Sequence, residues 1–222
     1  MKRFECRAVL FDLDGVLVDS KALVEAQWRH WAEGKGLPSG PFLQVCHGRR
    51  AVETIRLAAP QLDAEAEVAA FVPNGANDDP AIRPIEGAPH LLQSLPLGSW
   101  AIATSGGRAA ATERLVNAGL PVPGVLICAE DVVHGKPSPD VYLIAAARLA
   151  VSPSDCLVVE DAPAGVEAAR AAGMGVVALT TTHTKQELPA DAWAASLTQV
   201  CLGRIDRQAW RSDVLELLVV DR

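Results

Sequence analysis

Short apolar segments alternate with amphipathic segments along most of the chain. The short segments are rich in Val, Ile, Leu and Ala and have the length of buried strands; they cover residues 8–11, 100–103, 125–128, 156–159 and 176–179. Between the later ones, apolar residues recur at helical spacing, as they do before Gly173, a typical helix stop. The alternation predicts an α/β fold with a Rossmann-like parallel sheet wrapped by helices.

The stretch between the first two predicted strands has a helical pattern instead. Its apolar residues form two stripes at helical spacing, Leu23, Val24, Trp28 and Trp31 in one and Val52, Ile55 and Ala59 in the other. Pro80 and Pro84 mark the point where the chain returns to the sheet. We therefore predict an inserted small α-helical cap over residues 16–83 and an α/β core over residues 1–15 and 84–222.

The composition argues against several classes of protein. The chain has 20 Lys and Arg against 27 Asp and Glu, a net charge of −7 and no basic run, so we expect no nucleic-acid partner. The apolar stretch before Asp12 is too short for a signal peptide or a membrane span, and we expect a cytoplasmic protein that does not bind membranes. The five cysteines are scattered without a C-x-x-C pair, which argues against a disulfide framework and a zinc site.

The tail of the chain carries no recognisable motif. It begins after about Leu197 and includes Trp210 and the apolar segment 215–220. We expect it to serve internal packing or an oligomer contact, and the protein to be a monomer or a weak homo-oligomer.

Two aspartates directly follow the first predicted strand. Asp12 and Asp14 are two residues apart, so they would share a face if the strand continued, and Gly15 lets the backbone turn out of the sheet. Two carboxylates that close need a cation or a proton between them. A hard divalent metal with oxygen ligands, such as Mg²⁺, suits the pair, whereas the alternative is a solvated turn.

Polar residues also follow the second predicted strand. Thr104, Ser105 and Gly106 form a turn whose hydroxyl and N–H groups suit phosphate oxygens. The carboxyl ends of the strands are where open α/β sheets bind ligands, so this turn and the aspartate pair are expected at one edge.

The third and fourth predicted strands add a cation and two acids to the same edge. Lys136 follows the third strand, just before a helix that we expect Ser138 to cap with Pro139 at its first position. Glu160 and Asp161 end the fourth strand. Four carboxylates at one edge would repel one another without a metal.

Taken in order, the motifs Asp-x-Asp-Gly, Thr-Ser-Gly, Gly-Lys-Pro and Glu-Asp-x-x-x-Gly, each after a strand, resemble those of the haloacid dehalogenase-like hydrolase superfamily over nearly the whole chain. Residues 47–50, 102–106, 135–137 and 160–165 are similar to the branch of small sugar and polyol phosphatases, which includes glycerol-phosphate and 2-deoxyglucose-phosphate phosphatases. The resemblance implies a Mg²⁺-dependent phosphomonoesterase for a small phosphorylated sugar or polyol, with an aspartyl-phosphate intermediate.

The resemblance also implies roles for the acidic residues. Asp12 would be the nucleophile, and Asp14 the acid that protonates the leaving group and then the base that activates water. Mg²⁺ would be held by the Asp12 carboxylate, the Asp14 backbone carbonyl and Asp161. Glu160 would support metal-bound water or orient Lys136.

The remaining motif residues would hold the substrate. Lys136 and Thr104 are expected to bind the oxygens of the transferring phosphoryl group as part of the catalytic machinery. Ser105 and Gly106 belong to the same turn, and a helix cap without ligand contact is an equal alternative for Ser105.

Two residues of the cap are further candidates for substrate binding. The resemblance suggests that the loop at residues 48–50 faces the active site, with Arg50 contacting a phosphate or hydroxyl group; a solvated surface arginine is an equal alternative. His47 is as well suited to packing as to binding substrate.

Two other functions fit the same core motifs. A sugar phosphomutase would use the same phosphoaspartate but return the phosphoryl group to substrate, and the difference would depend on how well the cap excludes water. A phospho-accepting signalling module or a non-catalytic phosphate sensor also has an acidic pocket with Lys and Thr. The helical insertion directly after Asp14 favours a lid over a small substrate, and hence an enzyme.

Overall fold

The computed structural model describes residues 1–70, 82–206 and 213–220. Its strands in these ranges are β1 (Lys2–Cys6), β2 (Ala8–Phe11), β3 (Val18–Asp19), β4 (Arg83–Pro84), β5 (Trp100–Ala103), β6 (Leu126–Ile127), β7 (Cys156–Glu160), β8 (Gly175–Leu179), β9 (Ala192–Ala194), β10 (Val200–Asp206) and β11 (Val214–Val219). Its α-helices are α1 (Lys21–Gly34), α2 (Gly40–Leu43), α3 (Ala51–Ala58), α4 (Ala64–Ala70), α5 (Ala88–Ser94), α6 (Arg108–Asn117), α7 (Asp140–Arg148) and α8 (Pro163–Ala171).

The central sheet has six strands in the spatial order β6-β5-β2-β7-β8-β9, and every neighbouring pair is parallel. The chain builds the sheet outward from β2 in one direction and then, from β7, in the other. This doubly wound order confirms the predicted Rossmann-like α/β fold, and each predicted strand is present; β9 was not predicted. Because the order reverses between β2 and β7, their carboxyl ends flank the crevice where such sheets bind ligands.

Both faces of the central sheet are buried, as the apolar strand sequences require. Successive residues of β2 point to opposite faces. Val9 and Phe11 pack in a cluster with α5 and α6, whereas Ala8 and Leu10 pack in a second cluster with α7 and α8. The helices on the two sides leave only the strand ends open.

The two ends of the described chain meet in a second sheet. Strands β1, β11 and β10 are antiparallel and lie in that order. Leu215, Leu217 and Val219 alternate along β11 and are buried in the same cluster as Val9 and Phe11. The tail therefore takes the packing role, one of the two expected for it; Trp210 lies outside the described residues.

The helical segment of residues 20–70, which we call the cap, has an apolar cluster of its own. The cluster contains Trp28, Ala32, Phe42, Cys46, Ile55, Ala59 and Ala64. Trp28 stacks on Phe42 with ring centroids 5.6 Å apart. The apolar stripes expected from the sequence thus meet within the cap, except for Leu23, which packs against the cluster of the core.

A two-stranded connection joins the cap to the core. Strands β3 and β4 pair antiparallel, so the chain leaves and re-enters the core side by side. Val16, Leu17, Val18 and Ile82 were included in the predicted cap range, yet they are buried in the cluster of the core. Residues 71–81, with Pro80, lie outside the described part of the chain.

The predicted start of the helix after Lys136 is wrong by one residue. Helix α7 begins at Asp140, Pro139 is its N-cap residue, and no side-chain cap is formed. The Ser138 hydroxyl donates to Asp140 Oδ1 over 2.8 Å instead of capping the helix.

Two expectations from composition concern the whole chain. All five cysteines are free thiols, and all but Cys201 are buried. In the part of the chain that the structure describes, no helix combines the length and the apolar character needed to cross a membrane.

Candidate active site

The residues predicted from the four motifs meet at the carboxyl edge of the central sheet. Asp12 and Asp14 follow β2, Thr104 follows β5, and Glu160 and Asp161 end β7. A cavity of about 550 Å³ lies between this edge and the cap, and it is lined by Asp12, Asp14, Thr104, Ser105, Gly106, His47 and Arg50, among others. The sheet edge supplies the charged floor of the cavity and the cap supplies its roof.

Lys136 lies beneath this floor, between two carboxylates. Its Nζ donates to Asp12 Oδ1 over 2.5 Å and to Glu160 Oε1 over 2.7 Å, and its side chain is fully buried. Burial by itself lowers the pKa of Lys136, but the carboxylates of Asp12 and Glu160 outweigh burial and raise this pKa above its ordinary value. Lys136 is therefore a permanent cation that fixes the position of Asp12.

Both carboxylate oxygens of Glu160 accept hydrogen bonds. Its Oε1 accepts the hydrogen bond from Lys136 and another from the Tyr142 hydroxyl at 2.7 Å. Its Oε2 accepts from the backbone N–H groups of Asp161 and Ala162 at 2.8 and 3.1 Å. With both oxygens saturated, Glu160 orients Lys136 and the loop that carries Asp161.

Gly165 leaves the space that this carboxylate occupies. A Cβ atom at Gly165 would lie 1.6 Å from Glu160 Oε1, so even alanine would collide with the buried group. The glycine of the Glu-Asp-x-x-x-Gly motif is thus a packing requirement of the acid that opens the motif.

Asp12 and Asp161 are buried acids with other carboxylates close by. Burial raises the pKa of Asp12; the Lys136 ammonium opposes this shift, while Glu160 and Asp14 add to it. Burial also raises the pKa of Asp161 well above its ordinary value, with further contributions from Glu160 and Asp12, against a hydrogen bond that the Thr182 hydroxyl donates. The site holds more negative charge than its own cations neutralise.

The donor set suits a divalent cation such as Mg²⁺. Four carboxylates converge here, and among the described residues the cations in direct contact with them are Lys136 and Arg114, so two negative charges would lack a counter-charge with all four acids ionised. A Cβ at Gly15 would collide with Asp161 Oδ2, so this acid packs directly against the backbone that follows Asp14. In the described ranges no three acidic, His or Cys side chains form a ready-made metal cluster, so backbone and water oxygens would complete the set, as is usual for Mg²⁺.

Asp14 differs from Asp12 in being open to the cavity. A quarter of its side chain is exposed, against 4% for Asp12. Ser20 Oγ donates to Asp14 Oδ1 over 2.6 Å, and Arg114 Nη1 lies 2.7 Å from both carboxylate oxygens. Strand β2 ends at Phe11, so the two aspartates do not lie on a continuing strand, although both line the cavity.

Arg114 was not found by sequence reasoning. It lies in the last turn of α6, a hundred residues from Asp14, with no motif around it. No local signal distinguishes it from a solvated arginine; only the packing of α6 beside the β2 loop brings the two together.

The N–H groups of the turn after β5 form more hydrogen bonds within the protein than predicted. The Gly106 N–H donates to Thr104 Oγ1 over 3.0 Å, and the N–H of Arg108 donates to both oxygens of Glu130. Two of the N–H groups expected to cradle phosphate are therefore satisfied within the protein. The Ser105 hydroxyl donates to the carbonyl of Gly48 over 3.0 Å, so it joins the core to the cap.

Arg50 also joins the cap to the core. Its guanidinium binds Glu53 within the cap, and it donates to the carbonyls of Ala129, Val132 and Val133 at 3.4, 3.1 and 3.0 Å. All five N–H donors have an acceptor. In this arrangement Arg50 has no donor left for a phosphate or hydroxyl group, in contrast to the expectation for it, because the core loop supplies the acceptors.

His47 lines the cavity but packs beside other titratable groups. Its Nε2 lies 3.5 Å from Glu25 Oε1, too far for a hydrogen bond, and its ring contacts that of His183 edge to face. Burial lowers the pKa of His47, and nearby His183 and Lys21 lower it further against Glu25. Its surroundings suit packing between cap and core as well as substrate binding.

Comparison with known proteins agrees with the arrangement of these motifs. The family model for haloacid dehalogenase-like hydrolases matches residues 6–173. Hexitol phosphatase A of Escherichia coli (strain K12) is 42% identical over 78% of this chain and 83% of its own length. Glycerol-1-phosphate phosphohydrolase 2 of Saccharomyces cerevisiae is 33% identical over 79% of this chain and 75% of its own.

One solved structure shows how far the fold is shared. β-Phosphoglucomutase of Clostridium difficile superposes with a TM-score of 0.69 over 87% of this chain and 92% of its own, at 22% identity. At that identity the likeness concerns the fold alone.

Proposed function

Because the chain belongs to the haloacid dehalogenase-like hydrolase family, we propose that it is a Mg²⁺-dependent phosphomonoesterase for small sugar or polyol phosphates. The observation that carries the proposal is the environment of Asp12. Its carboxylate lies at the floor of the cavity, fixed by the buried ammonium of Lys136, while a second carboxylate, Asp14, stays open to the same cavity. A fixed nucleophile beside an accessible acid is what transfer of a phosphoryl group through an aspartate needs.

In the first step Asp12 attacks phosphorus. A bond forms between one Asp12 oxygen and the phosphorus atom, and the bond from phosphorus to the ester oxygen breaks. Asp14, which takes up a proton from solvent through the open cavity before this step, gives that proton to the leaving alkoxide, so a neutral alcohol departs. Lys136 and Thr104 hold the oxygens of the transferring group and offset its charge.

In the second step water releases the phosphoryl group. Asp14, now a carboxylate, takes a proton from water as the water oxygen bonds to phosphorus. The bond between phosphorus and Asp12 breaks, and inorganic phosphate leaves. Both aspartates return to their starting forms, which makes the cycle complete.

Mg²⁺, held by Asp12, the Asp14 backbone carbonyl and Asp161, would supply the positive charge that the site lacks and stabilise negative charge on the phosphoryl oxygens. Glu160 supports this arrangement through its bonds to Lys136 and to the backbone of Asp161. The cap supports the choice of a small substrate, since a cavity of about 550 Å³ closed by helices suits a hexose or a shorter polyol.

The test is phosphate release from a panel of sugar, polyol and nucleotide monophosphates, with Mg²⁺ and with EDTA. The expected result is metal-dependent release from a few small sugar or polyol phosphates, and loss of turnover in Asp12→Asn. A phosphoenzyme should be trapped in the native protein and be absent from this variant. Turnover by Asp12→Asn together with a trapped phosphoenzyme would contradict the role of Asp12.

The panel also separates the two other candidate functions. Conversion of a hexose 1-phosphate to its 6-phosphate without phosphate release would establish a mutase. A long-lived phosphoenzyme with negligible turnover on every substrate would establish a phospho-accepting module. Either result would overturn the proposed hydrolysis.

A further inference from the structure

Helix α6 places a second cation in the floor of the cavity, apart from Lys136. Arg114 Nη1 lies 2.7 Å from Oδ1 and 2.7 Å from Oδ2 of Asp14, so one nitrogen donates to both carboxylate oxygens. Both side chains line the cavity, and that of Arg114 is 12% exposed. The contact is therefore made where a substrate would lie and not on the outer surface.

The contact is not needed to hold the helix in place. Helix α6 is anchored by Ala111 and Leu115, both fully buried in the core cluster. Both side chains of the pair are mostly shielded from solvent, yet they line the cavity and do not belong to the apolar core cluster. A role in the reaction accounts better for its place.

Asp14 lies beyond the end of β2, where its backbone forms an isolated bridge with Val18. Its side chain is a quarter exposed, so the orientation of the carboxylate depends on the side chains that bind it. Ser20 Oγ holds Oδ1, but Oδ2 has no hydrogen-bond donor other than Arg114 among the described residues. Removing the guanidinium would free the carboxylate to rotate.

We propose that Arg114 is a positioning residue for Asp14: its guanidinium fixes the carboxylate in the orientation from which it serves the leaving group. The inference rests on the proposed phosphatase reaction and names one more residue that the reaction needs. Arg114 acts through Asp14 and does not form or break a bond. During formation of the phosphoenzyme, a displaced acid slows the reaction of those substrates whose leaving oxygen must receive a proton.

The leaving group supplies the test. A polyol alkoxide is a poor leaving group that needs a proton, whereas p-nitrophenolate leaves without one. Formation of the phosphoenzyme is measured in single turnovers with Mg²⁺ for a polyol phosphate and for p-nitrophenyl phosphate. Arg114→Gln should slow formation of the phosphoenzyme from the polyol phosphate by about 10²-fold or more. It should slow formation from p-nitrophenyl phosphate by less than about threefold.

Two further variants serve as controls for this measurement. Arg114→Lys keeps the charge with a single ammonium and should retain an intermediate rate on the polyol phosphate, which also covers the case in which Arg114→Gln folds poorly. Arg148→Gln removes an exposed arginine at the end of α7, which does not line the cavity, and should leave both rates unchanged.

The outcomes separate this inference from the proposed function. Equal loss on both substrates, or no loss on either, would show that Arg114 does not act through Asp14, although the phosphatase would stand. If the native protein formed no phosphoenzyme with any phosphomonoester, the proposed function would fail and this inference with it.

Discussion

Lys136 and Glu160 form an ion pair, Nζ to Oε1, of 2.7 Å in which both side chains are inaccessible to solvent. The same ammonium binds Asp12 Oδ1, so one cation serves two buried acids. Breaking such a pair from one side leaves an uncompensated charge in a medium that cannot solvate it. Catalysis and stability therefore depend on the same atom.

The first prediction concerns that cation. Lys136→Met should lower the free energy of unfolding by about 3–5 kcal/mol and abolish turnover, because Asp12 and Glu160 lose their counter-charge. Urea denaturation of Lys136→Met, Glu160→Gln and the double variant measures the coupling. The double variant should be more stable than the sum of the single losses predicts, and strict additivity would show that the two charges do not interact.

The second prediction concerns the glycine beside Glu160. Gly165→Ala should destabilise the protein by about 1–3 kcal/mol, because its Cβ would displace the buried carboxylate. Gly34, the last residue of α1, has open space around its Cβ position and is the matched control. Gly34→Ala should stabilise by up to about 1 kcal/mol. Thermal unfolding of both variants tests this prediction. Equal changes in stability would show that the Cβ at position 165 does not clash with Glu160.

The third prediction concerns the link between cap and core. Arg50→Ala removes three hydrogen bonds to core carbonyls, each worth about 0.5–1.5 kcal/mol, so the cap should open more often. Amide hydrogen exchange in residues 46–55 should become at least about tenfold faster, since 1.4 kcal/mol corresponds to a factor of ten.

Arg56→Ala is the control for this measurement. Arg56 belongs to the same helical cap, is more exposed and pairs with Glu65, so exchange should stay at the native rate. If Arg50→Ala also exchanged at the native rate, the contacts of Arg50 with the core would not hold the cap closed.

The fourth prediction concerns pH. Because burial places the pKa of His47 below its ordinary value of about 6.5, the unfolded chain binds the proton more strongly than the native protein. The stability that this group contributes is present above pH 6.5 and is lost as pH falls through the native pKa. Glu25 opposes the effect, and His183 and Lys21 reinforce it.

Unfolding measured from pH 7.5 to 5 tests this expectation. His47→Gln should lose less stability on acidification than the native protein. His30→Gln, at an exposed position of α1, is the matched control and should follow the native curve. A His47→Gln curve parallel to the native one would show that this histidine is not the group responsible.

Much of the fold follows from local patterns in the sequence. Runs such as 156–159 are apolar on every residue because helices cover both faces of a parallel sheet, and that property is visible without coordinates. Six other strands in the described ranges were not predicted. β1, β10 and β11 bury only some of their residues, and β3, β4 and β9 are only two or three residues long. Their pairing depends on partners far away in the chain.

The sequence alone was enough to propose Asp12, Lys136 and Asp161 because each follows a strand. Parallel strands bring their carboxyl ends together at one edge of the sheet, whatever segments connect them. Arg114 and the true partners of Arg50 could not. Whether a helical arginine faces solvent, a carboxylate or a backbone carbonyl depends on how α6 and the cap pack against the sheet. The sequence by itself determined which groups we propose for the chemistry. Only the tertiary structure decided which side chains hold those groups in place, because such contacts join distant segments and have no local pattern.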